Sequence, residues 1–194
     1  MNYPHDNDGV PRQSDTAKIV IAGGFGVGKT TLICSVSEIE PMVTEASLTV
    51  NSVGVDDLDG AQDKRTTTVA MDFGRITFDA LVLFLFGTPG QDRFKFMWDD
   101  IARGAVGVVI LVDTRKLADG FGAIDYFEHQ GVPFIIAVNQ FDLAVQYDVS
   151  EVRRALALDD GVPIVNCDAR DRASCRQVLV SLVDHALARR LAHR

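Results

Sequence analysis

Five short, almost wholly apolar runs punctuate the chain: AKIVIAG (17–23), ALVLFLFG (80–87), VGVVILVD (106–113), PFIIAVN (133–139) and PIVNC (163–167). Each has strand length, and the stretches between them carry a mixed apolar and polar pattern of helical type. Apolar strands alternating with helices predict a parallel sheet covered on both faces. Helices are expected after Lys29, after Gln91, near 118–130, near 149–158 and from about 172 to 190. The last carries Cys175, Val178, Leu179, Leu182, Ala186 and Leu187 at spacings of three and four, one apolar stripe. A sixth strand, VAMDFGRITF (69–78), meets ALVLFLF across Asp79. No crossover helix fits there, so that pair must be antiparallel. The fold class is α/β: a doubly wound, six-stranded, mostly parallel sheet with one antiparallel edge strand and helices on both faces.

Residues 1–15 are polar and broken by prolines, which predicts a disordered N-terminal tail ahead of a single domain over 16–194. A chain of 194 residues suits one core and not two. Between Glu38 and Thr68 lies a polar stretch with Asp56, Asp57 and Asp59 and three successive threonines. It is too long for an ordinary connection and is expected to be functional or mobile.

Charge narrows the choice of partner. A net charge of −8 argues against nucleic acid, whose binding needs a basic face. Cys34, Cys167 and Cys175 are odd in number and sit in apolar or helical stretches, the usage of thiols in a reduced cytoplasm. No apolar run approaches the roughly 18 residues of a spanning helix. MNYPHDNDGV lacks the features of a signal peptide or a myristoylation site, and the C-terminus has no lipidation cysteine. The expectation is a cytoplasmic domain with no direct membrane insertion.

The chemistry begins at GGFGVGKT (23–30), which matches G-x-x-x-x-G-K-[ST] between an apolar strand and a helix start, the context of a P-loop NTPase. Gly24, Phe25, Gly26, Val27, Gly28, Lys29, Thr30 and Thr31 are the candidate phosphate-binding residues. Glycines let backbone N–H groups converge on phosphate oxygens, and Lys29 adds a full charge to that of the helix N-terminus. The Thr30 hydroxyl is the candidate Mg²⁺ ligand.

Base recognition falls to NQFD (139–142). The Asp142 carboxylate accepts from the N1–H and 2-amino donors of guanine, which adenine does not offer. Asn139 is positioned to tie this loop to the phosphate loop, with Gln140 between the two. CDAR (167–170) follows the last strand, where ligands of open α/β sheets collect. There Cys167, Asp168 and Ala169 line the base, the Ala169 N–H aimed at guanine O6.

GTPGQDRF (87–94) reads as a γ-phosphate sensor, with Gly90 donating its N–H and Gln91 orienting the attacking water. Thr68 is the candidate to close over Mg²⁺ and the γ-phosphate, in competition with Thr66 and Thr67. Arg65 is either an internal arginine finger or a solvated loop arginine. Asp113 is either a metal-binding strand end, as in an ATPase, or the start of a turn.

In this order, the phosphate loop, a threonine before a strand with DFG, PGQ, N-x-x-D and C-D-A resemble a Ras-like small GTPase over residues 17–190. GTPGQDRFKFMWDDIARGAVGVVILVDT and NCDARDR are similar to the bacterial conservon-type small GTPases, close to the gliding-motility type. The resemblance implies a molecular switch that binds GTP–Mg²⁺ and hydrolyses it slowly to GDP, signalling through segments near 39–68 and 87–103. It also implies a roadblock-domain regulatory partner, often encoded beside a membrane-bound histidine-kinase-like protein, and peripheral recruitment to the membrane by partners.

Two positions depart from the pattern. Most Ras-like proteins have Asp where this chain has Gly87, holding Mg²⁺ through a water, and Lys where it has Gln140. The gliding-motility type also lacks that Asp. On this reading the metal site has no carboxylate, which predicts weak Mg²⁺ dependence in the GDP state. Three functions remain open: a regulated GTPase switch, a nucleotide-binding scaffold with negligible hydrolysis, and a P-loop ATPase using Asp113.

Overall fold

A computed structural model describes residues 15–40, 42–49, 66–79, 81–90, 92–142 and 144–192. Seven strands form one sheet: β1 (Asp15–Gly23), β2 (Met42–Thr49), β3 (Thr66–Phe78), β4 (Leu81–Gly87), β5 (Ala105–Val112), β6 (Phe134–Asn139) and β7 (Ile164–Cys167). Their order is β2-β3-β4-β1-β5-β6-β7. β1 lies parallel to both β4 and β5, and β6 and β7 continue the parallel array. β3 is antiparallel to β4 and to β2, so it alone runs against the rest.

The six expected strands are all present, and β3 does pair antiparallel with β4 through Phe73↔Phe86 and Phe78↔Leu81. It is not the edge, however. β2 adds outside it, drawn from the polar stretch expected to be functional or mobile. MVTEASLT alternates only weakly, so nothing in the sequence marks it. Its ladder runs along the first part of β3, from Met42↔Phe73 to Thr49↔Thr66, and supplies the pairing that this part of β3 would otherwise lack on that side.

Alternation on the strands sorts the core into two layers. Ile19 and Ile21 of β1 face the side covered by α1 (Lys29–Val36) and α5 (Arg172–Ala192), where Leu32, Ile33, Val178 and Leu182 are buried. Val20 and Ala22 face the other, covered by α2 (Trp98–Ala102), α3 (Phe121–Gln130) and α4 (Val149–Ala155). There Trp98 stacks on Phe127 with ring centroids 6.0 Å apart. Helix α4 opens with a capping box in which Asp148 accepts from Ser150 N–H and Glu151 accepts from Asp148 N–H. The expected stripe on α5 holds from Cys175 to Leu182. Leu187 is exposed because the helix runs on beyond the strands that cover its first half. Among the described residues no helix is long and apolar enough to cross a membrane.

Candidate functional site

The carboxyl ends of β1, β4, β5, β6 and β7 converge on one edge of the sheet, where open α/β folds hold ligands. Each turn there carries one of the motifs found in the sequence. The loop after β1 enters α1 through Gly28 at φ +106°, and a Cβ on Gly28 would lie 2.6 Å from Asn139 Nδ2. Only glycine satisfies both the left-handed backbone and that approach.

Asn139, 5% exposed, is the reason for the approach. Its Nδ2 donates to Val27 O at 2.9 Å, and its Oδ1 accepts from Ala169 N–H at 3.0 Å. One side chain thus joins the phosphate loop to the 167–170 turn, as expected for Asn139. The same contact corrects the expectation for Ala169, whose N–H is spent on Asn139 and is not a free donor for a base. Further bonds fix this turn. Asp168 N–H donates to Ser174 Oγ at 2.9 Å, the Ser35 hydroxyl donates to Ala169 O at 2.6 Å, and the buried Cys175 thiol reaches Asp168 O at 3.3 Å. Gln140 N–H donates to Cys167 O at 2.7 Å, continuing the β6–β7 pairing into the loops.

Asp142 projects into solvent and accepts from Arg170 at 2.9 Å. The same guanidinium contacts both carboxylate oxygens of Asp168 at 3.0 Å and holds the Asp168 carboxyl below the usual range. A basic group therefore stands between the two acids at the mouth of the base side.

On the phosphate side, Lys29 is 8% exposed and its ammonium donates to Gly23 O at 2.9 Å and Gly24 O at 2.6 Å. Burial lowers its pKa to about 8, opposed by the negative charge of Asp72. Gly90 lies against the same loop: a Cβ there would meet Lys29 Nζ at 2.7 Å and Gly24 O at 3.0 Å. Phe25, Gly26, Thr30 and Thr31 face outward.

Thr30 shows what the sequence reading missed. Its hydroxyl donates to Asp72 Oδ2 at 2.6 Å. Asp72 belongs to β3, beside the β4 terminus, and a Cβ built on Gly87 would lie 3.1 Å from both Asp72 Cβ and Asp72 Oδ2. The expectation of a site without a carboxylate is thus corrected: Gly87 leaves the room into which the neighbouring strand sends one. The signal was present as the Asp of DFG, but only the β3–β4 register brings it to the site.

Other candidates fall elsewhere. Thr68 is paired with Ser47 inside the β2–β3 ladder. It stands four residues from Asp72, about 13 Å along a strand. Thr66 and Thr67 lie farther still. Gln91 and Arg65 are outside the described residues. Asp113, 8% exposed, accepts from Arg115 N–H at 2.9 Å and from the Arg115 guanidinium at 2.7 Å, which holds its carboxyl low. It starts a turn and is satisfied there, so the metal-binding alternative for Asp113 is not the one the structure builds.

Similarity to known proteins agrees with this architecture. Ras-related protein RIC1 of Oryza sativa subsp. japonica is 24% identical over 172 residues, covering 85% of this chain and 77% of the relative. Human Ras-related protein Rab-7b is 24% identical over 192 residues, 92% of this chain and 86% of the relative. The G domain of FeoB from Methanococcus jannaschii superposes with a TM-score of 0.61 at 16% identity, covering 89% of this chain and 98% of that one. At that identity the likeness is one of fold, the G-domain form of the P-loop NTPases. The family model described as "conserved hypothetical ATP binding protein" matches residues 21–189, nearly the whole described domain, and the chain belongs to that family.

Proposed function

We propose that this protein is a guanine-nucleotide-binding switch that hydrolyses GTP slowly to GDP. The observation that carries the reading is the Asn139 clasp, which holds the phosphate loop against the 167–170 turn and leaves the Asp142 carboxylate at the outer lip. Ras-related relatives over most of the chain support it. So does a fold shared with FeoB cytosolic domains described in GDP and GMPPNP forms. Lys29 and the N–H groups of residues 24–31 bind phosphate. Asp142 reads the base, exchanging its Arg170 partner for the N1–H and 2-amino donors.

Thr30 fits Mg²⁺, because its proton goes to Asp72 and leaves the oxygen lone pairs for a metal. When bound, the ion neutralises charge on the β- and γ-phosphates. Gln91 orients the attacking water, and the segments near 39–68 and 87–103 carry the signal. The conservon-type resemblance adds a roadblock-domain protein as the regulatory partner, and a histidine-kinase-like membrane protein as the recruiting one.

The family description favours a second reading, ATP binding. Nucleotide extracted from the purified protein, followed by competition of GTP and ATP against labelled GDP, decides between them. GTP should compete and ATP should not, and Asp142→Asn should shift preference toward xanthine nucleotides. Equal competition by ATP ends the guanine reading. Single-turnover hydrolysis, alone and with the regulatory partner, then distinguishes a switch from a scaffold.

A further inference from the structure

The Thr30 to Asp72 contact and the Gly87 environment have one physical content. A strand-end carboxylate at 87 would need a Cβ, and that Cβ would sit 3.1 Å from Asp72 Cβ and Oδ2 and 3.3 Å from Ile33 Cδ1. Few real Cβ atoms are so crowded. Asp72 enters the same space from the adjacent strand, its carboxylate 2.6 Å from the Thr30 hydroxyl. The register Phe73↔Phe86 fixes that entry, since Asp72 is next along β3 and Gly87 next along β4. The far half of β3 is pinned to the C-terminal end of α1: Arg75 N–H donates to Ser37 Oγ at 3.3 Å, Glu38 N–H to Arg75 O at 2.7 Å, and the Thr77 hydroxyl to Glu38 at 2.8 Å. Asp72 is therefore delivered by a strand whose slide is restrained on the same helix that bears Thr30.

We infer that Asp72 is the positioning carboxylate of the Mg²⁺ site, transferred from the end of β4 to the middle of β3, with Gly87 as its steric complement. By accepting the Thr30 proton it orients the hydroxyl oxygen toward the cation, and its second oxygen is available to a metal-bound water. Loss of such an outer partner weakens metal binding by about 10- to 100-fold. The carboxylate does not depend on the γ-phosphate, so Mg²⁺ is retained in the diphosphate state as well. The inference rests on the nucleotide-binding reading proposed above.

The test needs no turnover. Release of a fluorescent diphosphate nucleotide is followed in the full chain while Mg²⁺ is titrated, after guanine and adenine forms have each been bound in EDTA. If adenine alone binds, the base assignment fails and the Mg²⁺ titration proceeds with that nucleotide. In Asp72→Asn, which keeps the shape and an acceptor for Thr30 but loses the charge, the Mg²⁺ concentration for half-maximal slowing should rise about 10- to 100-fold. Release in EDTA should match that of the unaltered protein, which a merely structural role would not predict. Gly87→Asp alone should release nucleotide faster, because two carboxylates are forced together. The exchange variant Asp72→Gly with Gly87→Asp should recover Mg²⁺ sensitivity, and it guards against Asp72→Asn simply misfolding. Equal Mg²⁺ sensitivity of Asp72→Asn and the unaltered protein, no recovery on exchange, or failure of both nucleotides to bind would each overturn the assignment.

Discussion

The two flanks of the phosphate loop are built on different principles. On the side of Asn139, that residue, Ala169, Ser174 and Cys175 form buried and part-buried bonds among β6, the turn after β7 and α5. On the other side, Thr30 meets Asp72 in a contact open to solvent, and Asp72 rides on β3, which among the described strands runs against the others. Buried polar networks are costly to break because the orphaned groups cannot turn to water, whereas an exposed contact is exchanged cheaply. The base side therefore behaves as a fixed frame. The Thr30–Asp72 side can be rearranged at smaller free-energy cost.

The largest expected effect breaks the frame. Asn139→Ala orphans Val27 O and Ala169 N–H together, at about 1–3 kcal/mol for each buried group. Its chemical denaturation midpoint should fall by an amount equivalent to roughly 2–6 kcal/mol, with nucleotide affinity lost alongside. A variant as stable as the parent would show that the clasp is not structural.

Next comes Lys29→Ala, which removes a charged donor to phosphate. A charge-assisted bond of about 1.5–3 kcal/mol corresponds to an affinity loss of roughly 10- to 150-fold, measurable by fluorescence titration. Stability should not fall, because the buried ammonium sits at a desolvation cost in the unliganded protein. A marked loss of stability would mean that its bonds to Gly23 O and Gly24 O hold the loop together.

A smaller effect follows from the pKa of Lys29, about 8 against 10.5 for the free side chain. An anion favours the protonated form, so binding takes up a proton above pH 8 and affinity falls as pH rises through that value. With the bound lysine fully protonated, the fall between pH 7.5 and 8.5 is about threefold. The same shift has the opposite sign for folding. Between pH 8 and 10.5 the unfolded chain holds more protons, so this group makes the unliganded protein more stable as pH rises. Calorimetric titration at a series of pH values checks the binding half, and flat affinity from pH 7.5 to 8.5 would refute it.

The smallest effect sharpens the contrast. Thr30→Val removes the exposed bond to Asp72 and should change stability by no more than about 0.5 kcal/mol, read from the same denaturation curves as Asn139→Ala. A shift as large as that of Asn139→Ala would erase the distinction between the two flanks.

The difference between the flanks also explains what was legible. The strands β1, β4, β5, β6 and β7 were visible as apolar runs because most of their length is buried or half-buried on both faces. Gly28, Lys29, Asn139 and Asp142 stood out because each belongs to a motif with residue types at fixed local spacing. β2 was not, since an outer strand needs no continuous apolar run. Ala169 was assigned a ligand role that its bond to Asn139 already occupies, a contact between residues 30 apart in sequence.

Asp72 is the clearest case. By itself the sequence determined a nucleotide-type loop, a parallel α/β sheet and a glycine where a carboxylate was expected, all of them local facts. That the carboxylate returns from 42 residues away, and that Gly87 is its complement and not its loss, was decided by the register of β3 on β4. A one-residue slip would turn Asp72 to the other face of the sheet. Register is set jointly by the turn at Asp79, the packing of Gly74 against Ile33 and the bonds from Ser37 and Glu38. Those are non-local constraints, and no window of sequence contains them.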